Sequence, residues 1–582
     1  MNKTPSKFWK EYIKSDIVKS AKDNNANANT KSFSNFVMEL CADSLEEITK
    51  TEVSRLHEKI FKDGKAEEFW SEEYRSGASK PVFYFHDMSR GLIPYCYAAS
   101  TIDILHRGRF YADEFKSLPP KRFDSFIGQV TEFIMELSQE HAGAIAVPDF
   151  FVNVASFFKS QYEVRTHRFE LENCFQSMIF ILHNKFRMQG QSPFTNVTIA
   201  DETTLRDVFG IKSQRDIEII KRVQEIYLGA FMAGTNGTPF RFPVTTFNLA
   251  CDKKTRAMTD PQFLDGMAEK IASGLFNVYV SDDTRKFASC CRMINDVTTM
   301  YGIDSFGNGG INIGSTRVIA MSLPEIASRI VSGEENAIEK YTTMACRTLK
   351  AHRELLRENV NAGFLKFFKH RIENLDRNYF STVGYVGLYE AAKILRPDLQ
   401  DDDIEGIAKV QKEILSKINY VSKKVSKKLS FPCNLEEVPG ESAAWKLAER
   451  FYEKTGVCFS NQYVPLSVDC DVLSRIRVAG MLDSESSGGA ITHINLAEKI
   501  TGEQAKQIVM LAAKHGMTHF APNYTFTICE KSHQSVGMSS ECKTCGSKEV
   551  KHVTRIIGYL APVEAWSLPR QHEYKTRRWT KA

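Results

Sequence analysis

From about residue 81 onward, short apolar runs alternate with longer segments whose apolar positions recur at helical spacing. Residues 82–85, 276–280 and 313–319 read as strands. The clearest helix follows Asp401, Asp402 and Asp403, acids suited to the positive N-terminal end of a helix. Its stripe is Ile404, Ile407, Val410, Ile414, Ile418 and Val421, and Lys423, Lys424, Lys427 and Lys428 beyond it read as a solvated face. This alternation predicts α/β architecture without short-period repeats. Residues 1–80 read as helical and polar, with one stripe made of Phe33, Phe36, Val37, Leu40, Cys41, Leu45 and Ile48. An Asn- and Ala-rich stretch at 24–29 reads as a loop. After about residue 520 Gly, Ser, Cys and His replace the helical pattern. The expected organisation is a helical N-terminal region over 1–80, a main α/β unit over 81–520 and a small C-terminal module over 521–582.

Composition narrows the class. With 42% hydrophobic and 25% charged residues, the 582-residue chain has ordinary globular proportions and length for a large core. A net charge of +5, on 76 basic and 71 acidic residues, is too mild to argue for nucleic acid. The 13 cysteines are odd in number and scattered, unlike a disulfide framework. The first residues are charged throughout and lack the apolar core of a signal peptide. The longest apolar runs, such as 178–182, are far too short to cross a bilayer. The expectation is a cytoplasmic protein that binds neither membrane nor nucleic acid.

Near the C-terminus, Cys542 and Cys545 form a compact knuckle with Cys529 upstream. Two such pairs supply the tetrahedral sulfur set of a structural zinc site. Here Ser532 stands where the second cysteine of the first pair is expected. His533 next to it is the best substitute, and His552 is a weaker one. The competing reading is a loop of free thiols.

Other motifs carry candidate chemistry. Gly558 lies in Arg555-Ile-Ile-Gly-Tyr559, close to the end of the chain. Taken alone it reads as a turn glycine. Cys96 follows Pro94 and Tyr95, downstream of His86 and Asp87. Cys290 and Cys291 precede Arg292, and Asn312 lies in the glycine-rich run from Gly307 to Gly314. Gln191 to Asn196, Phe242 to Asn248 and Ser460 to Pro465 are further distinctive segments. Alone, Cys96 or Cys291 reads as a buried core cysteine. Cys41, Cys174, Cys251, Cys346, Cys433, Cys458 and Cys470 carry no motif and read as structural.

Together, and in this order, these segments resemble the anaerobic, class III ribonucleoside-triphosphate reductases of the glycyl radical enzyme superfamily. The resemblance spans about residues 80–566. It implies a ten-stranded α/β barrel with a central finger loop, a helical N-terminal region and a small zinc-ribbon-like module. It implies that Gly558 stores a radical and that Cys291 becomes the thiyl, with Cys290 the second choice. Cys96 is then the hydrogen donor on the opposite side of the substrate, and Asn312 contacts the ribose hydroxyls. It further implies structural zinc on Cys529, His533, Cys542 and Cys545, formate as co-substrate, and nucleoside triphosphates as substrates. The implied partners are a second copy of the chain in a homodimer and a separate iron–sulfur activating enzyme that uses S-adenosylmethionine. Control by deoxynucleotide effectors is also implied.

Two departures stand out. Many relatives begin with an ATP-binding regulatory domain, whereas here the barrel motifs start near residue 81; overall inhibition by dATP is therefore not expected. The serine at 532 is the second. Two other readings compete. Adjacent Cys290 and Cys291 suit a formate acyltransferase of the same superfamily. The knuckle with Arg570, Lys575, Arg577, Arg578 and Lys581 suits a nucleic-acid-binding ribbon.

Overall fold

The computed structural model describes residues 5–15, 31–111, 115–187, 191–234, 240–284, 286–288, 294–296, 312–366, 375–438, 440–449, 458–556 and 558–581. Residues 24–29, Cys290, Cys291 and residues 307–311 lie outside these.

Ten strands form the centre. They are β1 (Cys96–Ala98), β2 (Ile145–Val147), β3 (Thr195–Ala200), β4 (Val244–Ala250), β5 (Asn277–Ser281), β6 (Ile313–Ser322), β7 (Tyr379–Val386), β8 (Cys433–Glu437), β9 (Thr492–Asn495) and β10 (His519–Asn523). Their lateral order is β8-β7-β6-β1-β2-β3-β4-β5-β10-β9. Neighbours are parallel from β1 to β5, from β6 to β8, and between β9 and β10. The β6–β1 and β5–β10 seams are antiparallel. A parallel bridge between Glu436 and Gly489 joins β8 to the approach of β9, where Gly488 N–H donates to the Leu435 carbonyl at 2.7 Å and Glu437 N–H to the Gly489 carbonyl at 3.1 Å. The sheet is thereby a closed ten-stranded barrel of two parallel five-stranded halves. Gly489 has a φ of +114°, which a side chain would strain.

Parallel neighbours need crossovers, and helices supply them. Outside the ring lie α2 (Phe123–Leu137), α3 (Arg168–His183), α4 (Gln214–Ala233), α5 (Pro261–Ala272), α6 (Ala337–Asn361), α7 (Ile404–Lys428), α8 (Val472–Leu482) and α9 (Gly502–His515), preceded by the N-terminal α1 (Phe33–Phe61). Strand alternation divides the two environments. Phe247 and Leu249 of β4 and Val278 and Val280 of β5 join the apolar core shared with the helices. Thr246, Asn248, Tyr279 and Ser281 occupy the other, lumenal face. Long crossovers and a polar lumen go together, because the apolar shell sits between ring and helices.

The expected helix after the acidic triplet is α7, whose Asp403 caps it by accepting the Gly406 N–H at 2.9 Å. The expected stripe on α1 is corrected. Phe33, Leu40 and Ile48 are exposed, and the buried face carries Asn35, Met38, Ala42, Thr49, Val53 and Leu56. The reason is close approach: a Cβ on Gly91 would lie 2.3 Å from Thr49 Cγ2, so small residues face inward there. Asn35 is satisfied by the Tyr12 hydroxyl at 2.8 Å.

A Cβ on Gly480 of α8 would lie 2.0 Å from the carbonyl oxygen at the end of α9, on His515. Backbone meets backbone there, so Gly480→Ala is expected to destabilise the protein by about 2 kcal/mol. Urea unfolding followed by circular dichroism measures it.

Candidate active site

The C-terminal module is a four-stranded antiparallel sheet of β11 (Phe526–Cys529), β12 (Gln534–Val536), β13 (Val550–Arg555) and β14 (Leu560–Pro562), in the order β12-β11-β13-β14. It continues directly from β10. The β13–β14 connection carries Gly558, which is buried.

Arg555 fixes that connection. Its side chain is 1% exposed and ends among carbonyl oxygens: Asn277 Oδ1 at 2.7 Å, Gly558 at 2.9 Å, Gly274 at 3.0 Å and Phe276 at 3.1 Å. Burial pulls this guanidinium down to about 9. Asn277 adds a second donor to the Gly558 carbonyl, at 3.3 Å. Asn523, the last residue of β10, accepts the Arg555 N–H and the Thr554 hydroxyl, both at 3.1 Å. Asn277 opens β5, so Gly558 sits at the mouth where β1 to β5 begin and β6 to β10 end.

Aromatic rings connect this mouth to the wall. Tyr559 packs edge-on against Phe194 at 5.6 Å and tilted against Phe242 at 5.5 Å between centroids. Phe194 also lies against Cys96 and Ala144. Cys96 is 7% exposed, and its Sγ accepts the Ala144 N–H at 3.2 Å. In β6, Ser315 is its register partner.

Asn312, with a φ of 70°, stands where the chain enters β6. Its N–H donates to the Ala98 carbonyl at 2.8 Å, and its Oδ1 accepts the Ser100 N–H at 3.0 Å and the Tyr97 hydroxyl at 3.3 Å. The amide oxygen is thus taken up by the chain's own donors. Beneath it, Asp149 accepts from Ser100 Oγ at 2.6 Å and from Thr101 N–H at 2.9 Å. Burial pushes this carboxyl up, against the hydrogen bonds that favour its charge.

Cys290 and Cys291 lie outside the described residues. Their flanks do not: strands Lys286–Ala288 and Ile294–Asp296 pair antiparallel as a hairpin. It follows Ser281, the last residue of β5, and so starts from the mouth opposite Gly558.

The four cysteine and histidine ligand atoms of the module come together. Those of Cys529, His533, Cys542 and Cys545 all lie within 4.8 Å of one another. Cys529 Sγ and Cys545 Sγ are 3.8 Å apart, the spacing of about 3.8 Å that two 2.3 Å zinc–sulfur bonds at a tetrahedral angle require. Ser532 takes a left-handed turn, φ 63°, which presents His533 in place of the missing cysteine. The backbone N–H of Cys545, with that of Thr544, holds the Cys542 thiol down to about 6. His552 instead faces the Ser539 carbonyl at 3.0 Å.

The sequence profile of the family described as anaerobic ribonucleoside-triphosphate reductase matches residues 42–579. The chain belongs to that family. The reductase is also similar to a solved anaerobic ribonucleotide reductase at 28% identity and a TM-score of 0.84, over 99% of this chain and 93% of the other. It is similar to the Thermotoga maritima anaerobic ribonucleotide reductase in complex with dATP and CTP at 26% identity and a TM-score of 0.81, over 98% and 94%. A glycyl radical enzyme from Archaeoglobus fulgidus shares the fold alone, at 13% identity and a TM-score of 0.54, over 94% and 76%. No curated protein sequence matches it. The reductase is therefore an oxidoreductase that reduces nucleotides, and no helix among its described residues is long and apolar enough to cross a membrane.

Asn277 and Asn523, which hold the Gly558 connection, were not singled out by sequence. The available signal was a polar residue at a strand end, which is common and weak.

Replacing Arg555 by methionine leaves the Gly274 and Phe276 carbonyls without this donor, at roughly 1–3 kcal/mol each, and leaves the Gly558 carbonyl only the longer bond from Asn277. Arg555→Met is expected to speed amide exchange at Tyr559 on the order of 100-fold by opening the connection locally. Hydrogen-exchange mass spectrometry measures it.

Proposed function

We propose that the reductase converts ribonucleoside triphosphates to deoxyribonucleoside triphosphates by radical chemistry, with formate as the reductant. Gly558 stores the radical, and Cys291, or Cys290 as second choice, is the thiyl. The observation that carries this reading is the geometry of the two mouths. Buried Gly558 sits at one, the hairpin flanking Cys290 and Cys291 starts from the other, and Cys96 and Asn312 lie on the wall between β1 and β6.

The residues divide the work. The Cys291 sulfur removes the 3′ hydrogen atom of the ribose, an exchange between S–H and C–H bonds of similar strength. The sugar radical then loses its 2′ hydroxyl with a proton as water. Cys96 donates a hydrogen atom from the other side and regains one from formate. The electron left on the resulting carbon dioxide radical anion, with a proton, reduces the sugar, and Cys291 returns its hydrogen atom to C3′, while Asn312 donates a hydrogen bond to a ribose hydroxyl. Overall, formate, a proton and the nucleoside triphosphate give carbon dioxide, water and the deoxynucleoside triphosphate. A closed lumen keeps water and oxygen from the radical stages.

Zinc, when bound to Cys529, His533, Cys542 and Cys545, supplies a crosslink and no redox chemistry. Those residues tie β11 to the knuckle beside β13, the strand that carries Arg555, so the metal steadies the Gly558 connection from behind. The Thermotoga maritima relative holds dATP and CTP, the first in its specificity site. By analogy the reductase takes nucleoside triphosphates as substrates and deoxynucleotides as effectors. It works in the cytoplasm as a homodimer, activated by a separate iron–sulfur enzyme that uses S-adenosylmethionine.

With anaerobically activated enzyme, CTP and formate are expected to yield dCTP and carbon dioxide in equal amounts. Gly558→Ala is expected to abolish dCTP formation with an unchanged circular dichroism spectrum; turnover by that variant contradicts the assignment. Acyl transfer from pyruvate without dCTP would identify an acyltransferase instead. Metal analysis is expected to find about one zinc per chain, lost in Cys542→Ser with faster amide exchange at Tyr559.

A further inference from the structure

Asn248 lies on the lumenal face of β4, since Phe247 and Leu249 beside it are buried in the outer core. It is 2% exposed. Its carboxamide grips a single residue of the hairpin by both backbone groups. Oδ1 accepts the Ala288 N–H at 3.0 Å, and Nδ2 faces the Ala288 carbonyl at 3.4 Å and the Thr246 carbonyl at 3.5 Å. Ala288 is itself 1% exposed and ends the strand Lys286–Ala288, paired with Ile294. Residues 289–293 join these two strands, with Cys290 and Cys291 among them.

A carboxamide is suited to this contact. It offers one donor and one acceptor side by side, as a strand edge does, and so continues the hydrogen bonding of β4 onto the hairpin. It does so without charge and without a proton that titrates. A carboxylate offers acceptors alone, and a hydroxyl carries both roles on one atom rather than on two atoms side by side.

We propose that Asn248 is a positioning residue for the reaction: its two-point grip on Ala288 fixes the strand that leads to Cys290 and Cys291 in the chain, and so where the thiol meets the ribose. This rests on the reading of Cys291 or Cys290 as the thiyl, and it serves either. Hydrogen-atom removal needs the reacting atoms about 3–3.5 Å apart, so an error of about 1 Å in placing the thiol is costly. Gly558 is held by a separate set, Arg555, Asn277 and Asn523. Loss of Asn248 therefore separates radical storage from radical use.

The test uses the full-length, anaerobically activated enzyme and two variants, Asn248→Ala and the near-isosteric Asn248→Asp, which keeps the volume and the acceptor but loses the donor. Both are expected to store the glycyl radical at the parental level and to keep the KM for CTP within about twofold, while kcat falls on the order of 100-fold. Amide exchange at Ala288 is expected to accelerate in Asn248→Ala while exchange in β4 and β5 stays unchanged. The proposal is overturned if either variant keeps kcat within twofold of the parent, or if radical yield and KM change together with kcat, which marks a merely structural residue. Absence of a radical or of dCTP in the parental enzyme contradicts the proposed function instead. The exchange measurement at Ala288 still reads the grip in that case.

Discussion

The hydrogen bonds between β8 and the approach to β9, through Gly488 and Gly489, close the ring on which the site depends. An open ten-stranded sheet would leave two edges and no interior. Closure turns one face of every strand into a lumen wall and the other into a bed for the helices. The wall can then be polar, with Asn248, Tyr279, Thr246 and Ser281, because the hydrophobic contribution to stability comes from the layer outside it. The antiparallel seams matter equally. They make each mouth the starting end of one half and the finishing end of the other, so connections from both halves meet at each mouth.

The groups that hold those loops share a chemistry. Asn277 and Asn523 hold the Gly558 connection, Asn248 holds the hairpin, and Asn312 is itself oriented by Ser100 and Tyr97. Carboxamides donate and accept at once and do not titrate. The one cation among them, Arg555, is surrounded by carbonyl oxygens and has no carboxylate among its hydrogen-bond partners. Uncharged anchors of this kind keep their hydrogen bonds over a wide range of pH. Asp149 lies one step back, behind Ser100 and Thr101.

How much of this was legible in the sequence depends on how local each signal is. The helix from Ile404 to Lys428 was legible because its cap, Asp403, and its apolar stripe lie within the segment. The knuckle was legible for the same reason, and the left-handed turn at Ser532 makes His533 a geometric substitute for cysteine. The face of the N-terminal helix was not, because what it packs against, α6 and the segment before Gly91, lies far along the chain. Barrel closure, the grip of Asn277 on Gly558 and that of Asn248 on Ala288 are likewise contacts between distant segments. No periodicity within either segment records them. The order of the motifs carried the resemblance; their hydrogen bonds had to be seen.

Whether Gly558 stores the radical is read by electron paramagnetic resonance of the anaerobically activated enzyme, before and after exposure to air. A glycyl doublet that oxygen abolishes is expected, together with chain cleavage at Gly558 seen by mass spectrometry. An active enzyme without the doublet, or with cleavage at another residue, would contradict this assignment.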